Sequence, residues 1–574
     1  MDNSKIEHWK ILVLWSCVFT VCSNSAYGQI KIICPLQNAI IQKTYDSGYL
    51  RILCNGSKSK KIKLKLTDSL GNDVPEFGWR ELSFNNNVLD TFFTIPIIRK
   101  FTIAWHTLDG QRDSGKIKNL SVGHVYAIAG QSNAQGWSPP PFISPHGDVR
   151  MLRNDSTWQA GADPTGGKYA SPWIEFSNKL QELLKDSLPI GLVNTAIGGT
   201  GLVNKTGNGW WQRNDAFHAD TSTVYGNALR LFLNAGAKFE ALFWIQGESD
   251  AVGVTIQQYR SAFTKLVENF QEDFRGTIPF FHLQIGGQIA NPDRINWGII
   301  REALRTLPES ILVGTAVGSP VGFDGIHYAP ITEIMVGDRF AGAIIKEIYH
   351  IPNNLFSPLL PENSASILKC TALDPYKGYK IVLGCMENGN AVKLKKMDTL
   401  RGFQIRVNGQ LVDTSRIFAK VETGDLSKVD IFMKDSSLDP KDGLTLSYAI
   451  TGDVSNGNLS DNDTSTTLPN YLVSFLDIPI LTSKVGVVSS FAISQNIPNP
   501  FSDETSFSIY LDKPFSVSYT LFDLSGKLLY SKDAGVLQEG SQRISVYHES
   551  LAPGLYQIIF KIGSEIHSFK IIIL

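Results

Sequence analysis

Charge of either sign is not in excess in this chain: 53 Lys and Arg stand against 54 Asp and Glu over 574 residues, a formal net charge of -1. Without a net field the protein has no general hold on nucleic acid or on an anionic membrane surface, so neither is expected as a partner. Long apolar runs are scarce as well. The first, Ile11 to Cys22 behind Lys5 and Lys10, is shorter than the ~20 residues a membrane-spanning helix needs. Small and polar residues follow it up to Gly28, so residues 1–28 are expected to be a cleaved signal peptide, leaving a mature chain without a transmembrane anchor.

Cysteine is rare too. Of six, Cys17 and Cys22 fall in the signal, leaving Cys34 with Cys54 and Cys370 with Cys385 as two local pairs. No C-x-x-C or Cys/His cluster is present, so no zinc pattern is seen and no metal is expected. Export makes disulfides between these pairs the expectation, with free buried thiols as the alternative.

What the chain does have is a change of period. From Ile30 to about Leu120, short alternating runs such as Lys61–Leu66 and Phe101–Trp105 are separated by turn signals, the pattern of a β-sandwich domain over 29–121. Over 122–350, apolar runs (190–197, 241–245, 278–285, 311–317) alternate with helical stretches (near 172–185, 224–235, 256–274, 294–306 and 330–349). That alternation predicts a three-layer α/β domain with a parallel sheet. Alternating runs return over 351–485, predicting another β-rich domain, and 490–574 read as a small β-sandwich on a linker.

Chemistry gathers at four loops that should lie at one edge of the parallel sheet: Gly130-Gln131-Ser132-Asn133, Asn194–Thr200 with Gly198-Gly199, Gln246-Gly247-Glu248-Ser249-Asp250, and Asp324-Gly325-Ile326-His327. A lone Ser132 after Val125–Ala129 is as readily a turn or cap residue as a nucleophile. Acyl transfer by a serine also needs a base, a carboxylate to orient it and donors for the oxyanion, and these loops supply each type. His327 is the candidate base and Asp324, three residues earlier, its partner. Gly199 is a candidate backbone donor and Gln246 a candidate amide donor. Trp137, Trp210 and Trp211 flank the first two loops and are candidate stacking surfaces for a sugar ring, with core or rim packing as the alternative.

Together the four loops resemble the ordered blocks of the SGNH hydrolase superfamily, in its sialate O-acetylesterase-like and carbohydrate acetylesterase branch. The resemblance implies a flavodoxin-like catalytic domain over 122–350. Ser132 would be its nucleophile, His327 its base and Asp324 the orienting acid, with Ser132 N–H, Gly199 N–H and the Gln246 side chain as oxyanion hole. It implies that Glu248 and Asp250 shape the loop or touch substrate. Ala134 stands where many relatives carry methionine. The expected function is a secreted carbohydrate O-acetylesterase acting on acetylated carbohydrate without a cofactor. A noncatalytic glycan-binding protein on a hydrolase scaffold and a general esterase are the alternatives. At the other end, Asn496-Ile497-Pro498-Asn499-Pro500-Phe501, Asp523–Lys527 and Leu551–Tyr556 resemble the carboxy-terminal sorting domain of the type IX secretion system of Bacteroidetes. That resemblance implies export through the periplasm, engagement of the type IX machinery and removal of the tail.

Overall fold

The computed structural model describes residues 30–574 except 57–59, 76, 110–112, 186–187, 206–208, 211–212, 214–219, 290–295, 371–375, 377–378, 398, 423, 435–442, 454–456, 483–490, 494–495, 497, 512, 524–526, 548–550 and 564. Two compact units make up the chain, Met1–Leu481 and Thr482–Leu574. Strands dominate, because β-rich regions precede and follow the section in which strands and helices alternate.

In the amino-terminal region the strands are β1 (Lys31–Cys34), β2 (Ile40–Gln42), β3 (Ser47–Asn55), β4 (Lys61–Thr67), β5 (Arg80–Ser83), β6 (Val88–Pro96) and β7 (Phe101–Thr107). They lead into β8, a 17-residue strand from Ser114 to Gly130. Its first half pairs antiparallel with β7, and its second half becomes the centre of a parallel sheet. The boundary expected at residue 121 therefore falls inside one strand, and the amino-terminal strands β4, β5 and β7 share a single mixed sheet of eleven strands with the section that follows. Only β1, β3 and β6 form a sheet of their own.

Beyond β8 come β9 (Val149–Leu152), β10 (Trp158–Ala160), β11 (Ile190–Asn194), β12 (Ala241–Ile245), β13 (Phe280–Gln284) and β14 (Ile311–Thr315). They are ordered β10-β9-β11-β8-β12-β13-β14, and every pair from β9 to β14 is parallel. The helices are α1 (Ser132–Gln135), α2 (Pro172–Leu184), α3 (Val224–Asn234), α4 (Ile256–Phe274), α5 (Asn296–Arg305) and α6 (Pro330–Glu347). Starts are locally encoded: Ser171 accepts from Trp173 N–H ahead of Pro172, and Thr255 forms a reciprocal capping box with Gln258. Successive strand residues face opposite ways. Tyr126 and Ile128 accordingly pack with α2 and α6, whereas Val125, Ala127 and Ala129 pack with α3, α4 and α5.

The β-rich region after α6 is bound to the α/β section by buried polar groups. Gln284 and Ser474 exchange backbone and amide bonds of 2.8 Å each. Arg301, fully buried, donates to the carbonyls of Ile285, Gly286, Ala449 and Thr451. Burial lowers its guanidinium to about 9, against the pull of Glu248. Carbonyl oxygens stand in for the water it has lost.

In the second unit, strands of three and of four form two small sheets. Residues of its motifs hold the chain in place: Asn499 Oδ1 accepts from Ile572 N–H of the last strand at 2.8 Å, and the Tyr556 hydroxyl donates to Ala552 O, four residues back, at 2.6 Å. The Leu524–Gly526 part of the Asp523–Lys527 motif lies outside the described residues.

The disulfide expectation is corrected, since Cys34, Cys54, Cys370 and Cys385 form no disulfide. Cys34 lies opposite Leu53 and Cys54 opposite Ile32, so the two thiols leave opposite faces of the paired strands. Cys385 sits six residues past Tyr379, which pairs with Lys369 just before Cys370. At ~3.3 Å per residue that is about 20 Å, far beyond the ~7 Å that a bridge spans. Burial raises the Cys34 and Cys54 thiols to about 12.

A chain beginning at Gln29 should therefore titrate four thiols after denaturation without reductant, and a count of two or none would mean that bridges form. Arg301→Met should lower the unfolding free energy by about 3 kcal/mol or more, because buried carbonyls lose their donors; chemical denaturation followed by tryptophan emission measures it.

Candidate active site

Strand β8 ends at Gly130 because a side chain there has no room. Its φ is +134°, and a Cβ would stand 2.1 Å from Ile245 O of the neighbouring strand β12. The chain turns at this point, and Ser132 opens α1 at the carboxyl edge of the sheet, 8% exposed. Gln131, before it, makes no capping bond to the helix. Its Oε1 instead accepts from Ser249 N–H at 3.2 Å, tying the first loop to the third.

Asn133 fixes the turn to the other loops. Its Oδ1 accepts from Tyr328 N–H at 3.2 Å and its Nδ2 donates to Glu248 Oε1 at 2.7 Å. Ser132 and His327 are thus each one residue from the two ends of a single buried hydrogen bond. The carbonyl of Ala134 is held from the other side by Trp173 Nε1 at 2.6 Å and Asn194 Nδ2 at 2.9 Å.

His327 Nδ1 lies 2.5 Å from Asp324 Oδ2, while Asp324 Oδ1 accepts from His327 N–H at 3.0 Å and Ile326 N–H at 3.1 Å. Partial burial works against ionisation of Asp324, yet these bonds outweigh it and hold the carboxyl below its ordinary value. An ionised carboxylate only accepts, so Nδ1 carries the proton and Nε2 is left with a lone pair. Trp137 lies flat against the imidazole, with centroids 5.3 Å apart and planes 15° from parallel.

Gly199 has φ +73°, with nothing within 4 Å of where a Cβ would be. Among the described residues no acceptor takes its N–H or that of Ser132. The preceding Gly198 N–H is engaged by Gln135 Oε1 at 2.8 Å, and its Cβ position lies 3.5 Å from Ser132 Cβ. The second loop therefore lies against the serine.

Other expected residues have different positions. Gln246 is fully buried, its Nε2 directed at Asp250 Oδ2 (2.6 Å) and Thr200 O (3.1 Å), so both amide hydrogens are engaged within the protein. It braces the third loop and does not offer a free donor. Asp250 accepts from the N–H groups of Leu202, Val203 and Asn204 at 2.7, 2.9 and 2.6 Å, which makes it the anchor of the second loop. Glu248 is buried, with Oε2 unpartnered. Burial pushes its carboxyl above the ordinary value against the Asn133 bond and the charges of His327 and Arg301. It supports Asn133 from beneath and is not displayed to a substrate.

Trp210 is 1% exposed, donates to Gly130 O at 3.1 Å and packs edge-on against Trp244, so it is core and not a sugar platform. Trp211 lies outside the described residues. Asn133 stood in a quoted motif without a role, and neither Gln135 nor Trp173 gave any signal in the sequence. Among the described residues no three His, Cys, Asp or Glu side chains gather as a metal site.

Residues 122–346 match the family described as carbohydrate esterase, sialic acid-specific acetylesterase. The chain carries a carbohydrate esterase domain of this family. Residues 497–574 match the secretion system C-terminal sorting domain, which directs the esterase to the cell surface or the medium by type IX secretion. Among curated proteins none matches the chain. Among solved structures, a carbohydrate acetylesterase from Xanthomonas citri is 14% identical with a TM-score of 0.57, over 78% of this chain and 99% of that one. That likeness shows a shared fold. NanS is 16% identical over 40% of this chain and 98% of its own, with a TM-score of 0.31. No helix among the described residues of the esterase is long and apolar enough to cross a membrane.

Asp250→Ala would leave three backbone N–H groups without an acceptor, at about 1–3 kcal/mol each if they stay buried. Chemical denaturation should show a loss of about 3 kcal/mol or more. An unchanged unfolding curve would show that the second loop is held by other contacts.

Proposed function

We propose that the protein is a sialate O-acetylesterase-like carbohydrate O-acetylesterase that works through a serine acyl-enzyme on a flavodoxin-like, three-layer domain. The observation that carries this reading is the 2.5 Å Asp324–His327 pair, joined through Tyr328 N–H to the asparagine beside Ser132. The helices packed on both faces of the parallel strands support the fold assignment.

In this mechanism the Nε2 lone pair of His327 takes the proton from Ser132 Oγ as the oxygen attacks the acetyl carbonyl. Asp324 keeps the proton on Nδ1 and stabilises the imidazolium. Charge developing on the carbonyl oxygen is met by the Ser132 and Gly199 N–H groups. The imidazolium then protonates the departing sugar hydroxyl, leaving acetyl on Ser132. Water, deprotonated by His327, releases acetate and restores the serine. The serine's proton leaves on the sugar hydroxyl, His327 returns a proton taken from water to Ser132 Oγ, and the water's other proton is released with acetate, so the residues named suffice for the cycle.

The Gln246 side chain is replaced in this account by backbone donors, because its hydrogens are already bonded. Of the two candidate tryptophans among the described residues, Trp137 has an exposed surface and Trp210 does not.

Ser132→Ala should reduce acetate release from acetylated sugars and from a small acetyl ester by about 10³-fold or more, with the unfolding curve unchanged. Retained activity would rule out the serine mechanism. Acetate release across sialic acid, xylan and pectic acetyl esters identifies the sugar.

A further inference from the structure

Resting on the serine-esterase reading, we propose that Trp137 is a positioning residue that fixes the plane of the His327 imidazole and sets it in register with the Gly198–Gly199 loop. The hydrogen bond to Asp324 holds one edge of the imidazole. A ring held at one edge can still rock about that bond, which carries Nε2 away from Ser132. A flat contact over the ring face removes that freedom, and the 15° interplanar angle at 5.3 Å provides it.

The indole is itself held. Its Nε1 donates to Gln135 Oε1 at 3.2 Å, the same oxygen that accepts Gly198 N–H at 2.8 Å. Gln135 Nε2 donates to Gly166 O at 3.1 Å, so the amide cannot turn over without losing bonds on both sides. Gln135 ends the short helix that Ser132 begins. One side chain thus links the nucleophile's helix, the loop of the candidate oxyanion donor and the indole that covers the base.

The expected role of Trp137 was to stack on a sugar. One face of the indole is occupied by His327, and the residue is 37% exposed. The π face also attracts positive charge, so the indole favours the imidazolium formed in both halves of the reaction. Among the described residues, the ionisable groups near His327 are Asp324 on its own turn and Glu248, bonded to Asn133, and Glu248 also feels the charge of Arg301.

The test compares Trp137→Ala and Trp137→Phe with the unaltered enzyme on a small acetyl ester and on an acetylated sugar, alongside Ser132→Ala. Trp137→Ala should lower kcat on both substrates by about 10- to 100-fold, the scale of a misplaced catalytic group. KM for the small ester should change less than twofold, and Trp137→Phe, which keeps a flat ring, should recover most of the rate. A raised KM for the sugar with unchanged kcat on the small ester would overturn the proposal in favour of a sugar platform.

A second readout needs no turnover. An imidazolium stacked on indole quenches its emission, so the unaltered protein should show a pH-dependent fluorescence change, above the background from Trp79 beside His106, that is reduced equally in Trp137→Phe and His327→Gln. An undiminished change in either variant would also overturn the proposal. An active Ser132→Ala would refute the esterase mechanism itself, a result distinct from either failure.

Discussion

The site depends on a steric constraint at the end of β8. Gly130 lies against the carbonyl of Ile245 on β12 so closely that no Cβ fits, and its φ of +134° is one that residues with side chains rarely adopt. A strand buried on both faces cannot stop in mid-sheet without somewhere for the chain to go. The glycine lets it leave the sheet between two neighbours, and Ser132 becomes the first residue of a helix with its N–H unclaimed. Both the placement of the Ser132 hydroxyl at the sheet edge and the unclaimed donor follow from that single close approach.

Around this point the acidic residues have divided their work according to solvent access. Asp324 is partly exposed, and its bonds to His327 and two backbone N–H groups favour its ionised form. Asp250 is fully buried and spends its oxygens on three backbone N–H groups and the Gln246 amide. Glu248, also buried, has one oxygen on Asn133 and one without a partner. The third loop therefore braces the first and second directly and the fourth through Asn133, although its composition alone resembles a reactive site.

The regions outside the esterase section also bear on it. The continuous strand β8 makes the amino-terminal strands part of the sheet that ends at Ser132. On the other side, Gln288 N–H donates to Gly452 O and Ile289 N–H to Gly325 O, so one short segment touches both the following β-rich region and the Asp324–His327 turn. Arg301 holds the carbonyls at the start of that segment. The position of the Asp324–His327 turn is thereby linked to the β-rich region that follows α6.

Strand and helix periods, the four loops and their order, and the Asp-x-x-His turn were legible in the sequence, because they rest on contacts within a few residues or on repeats of a local pattern. The sorting tail was legible for the same reason. The fate of individual side chains was not. Gln246 and Trp210 had suitable chemistry for an oxyanion donor and a sugar platform, and only tertiary packing decided that one amide is saturated and one indole buried. The cysteine pairs were close in sequence and were separated by strand register. Trp137 was singled out for its place beside the first loop, but the ring it stacks on, His327, lies 190 positions away. A sequence determines which groups are available and where the backbone turns. Which of those groups keep a free lone pair, proton or ring face depends on partners brought together from distant segments, and that was decided only when the chain had folded.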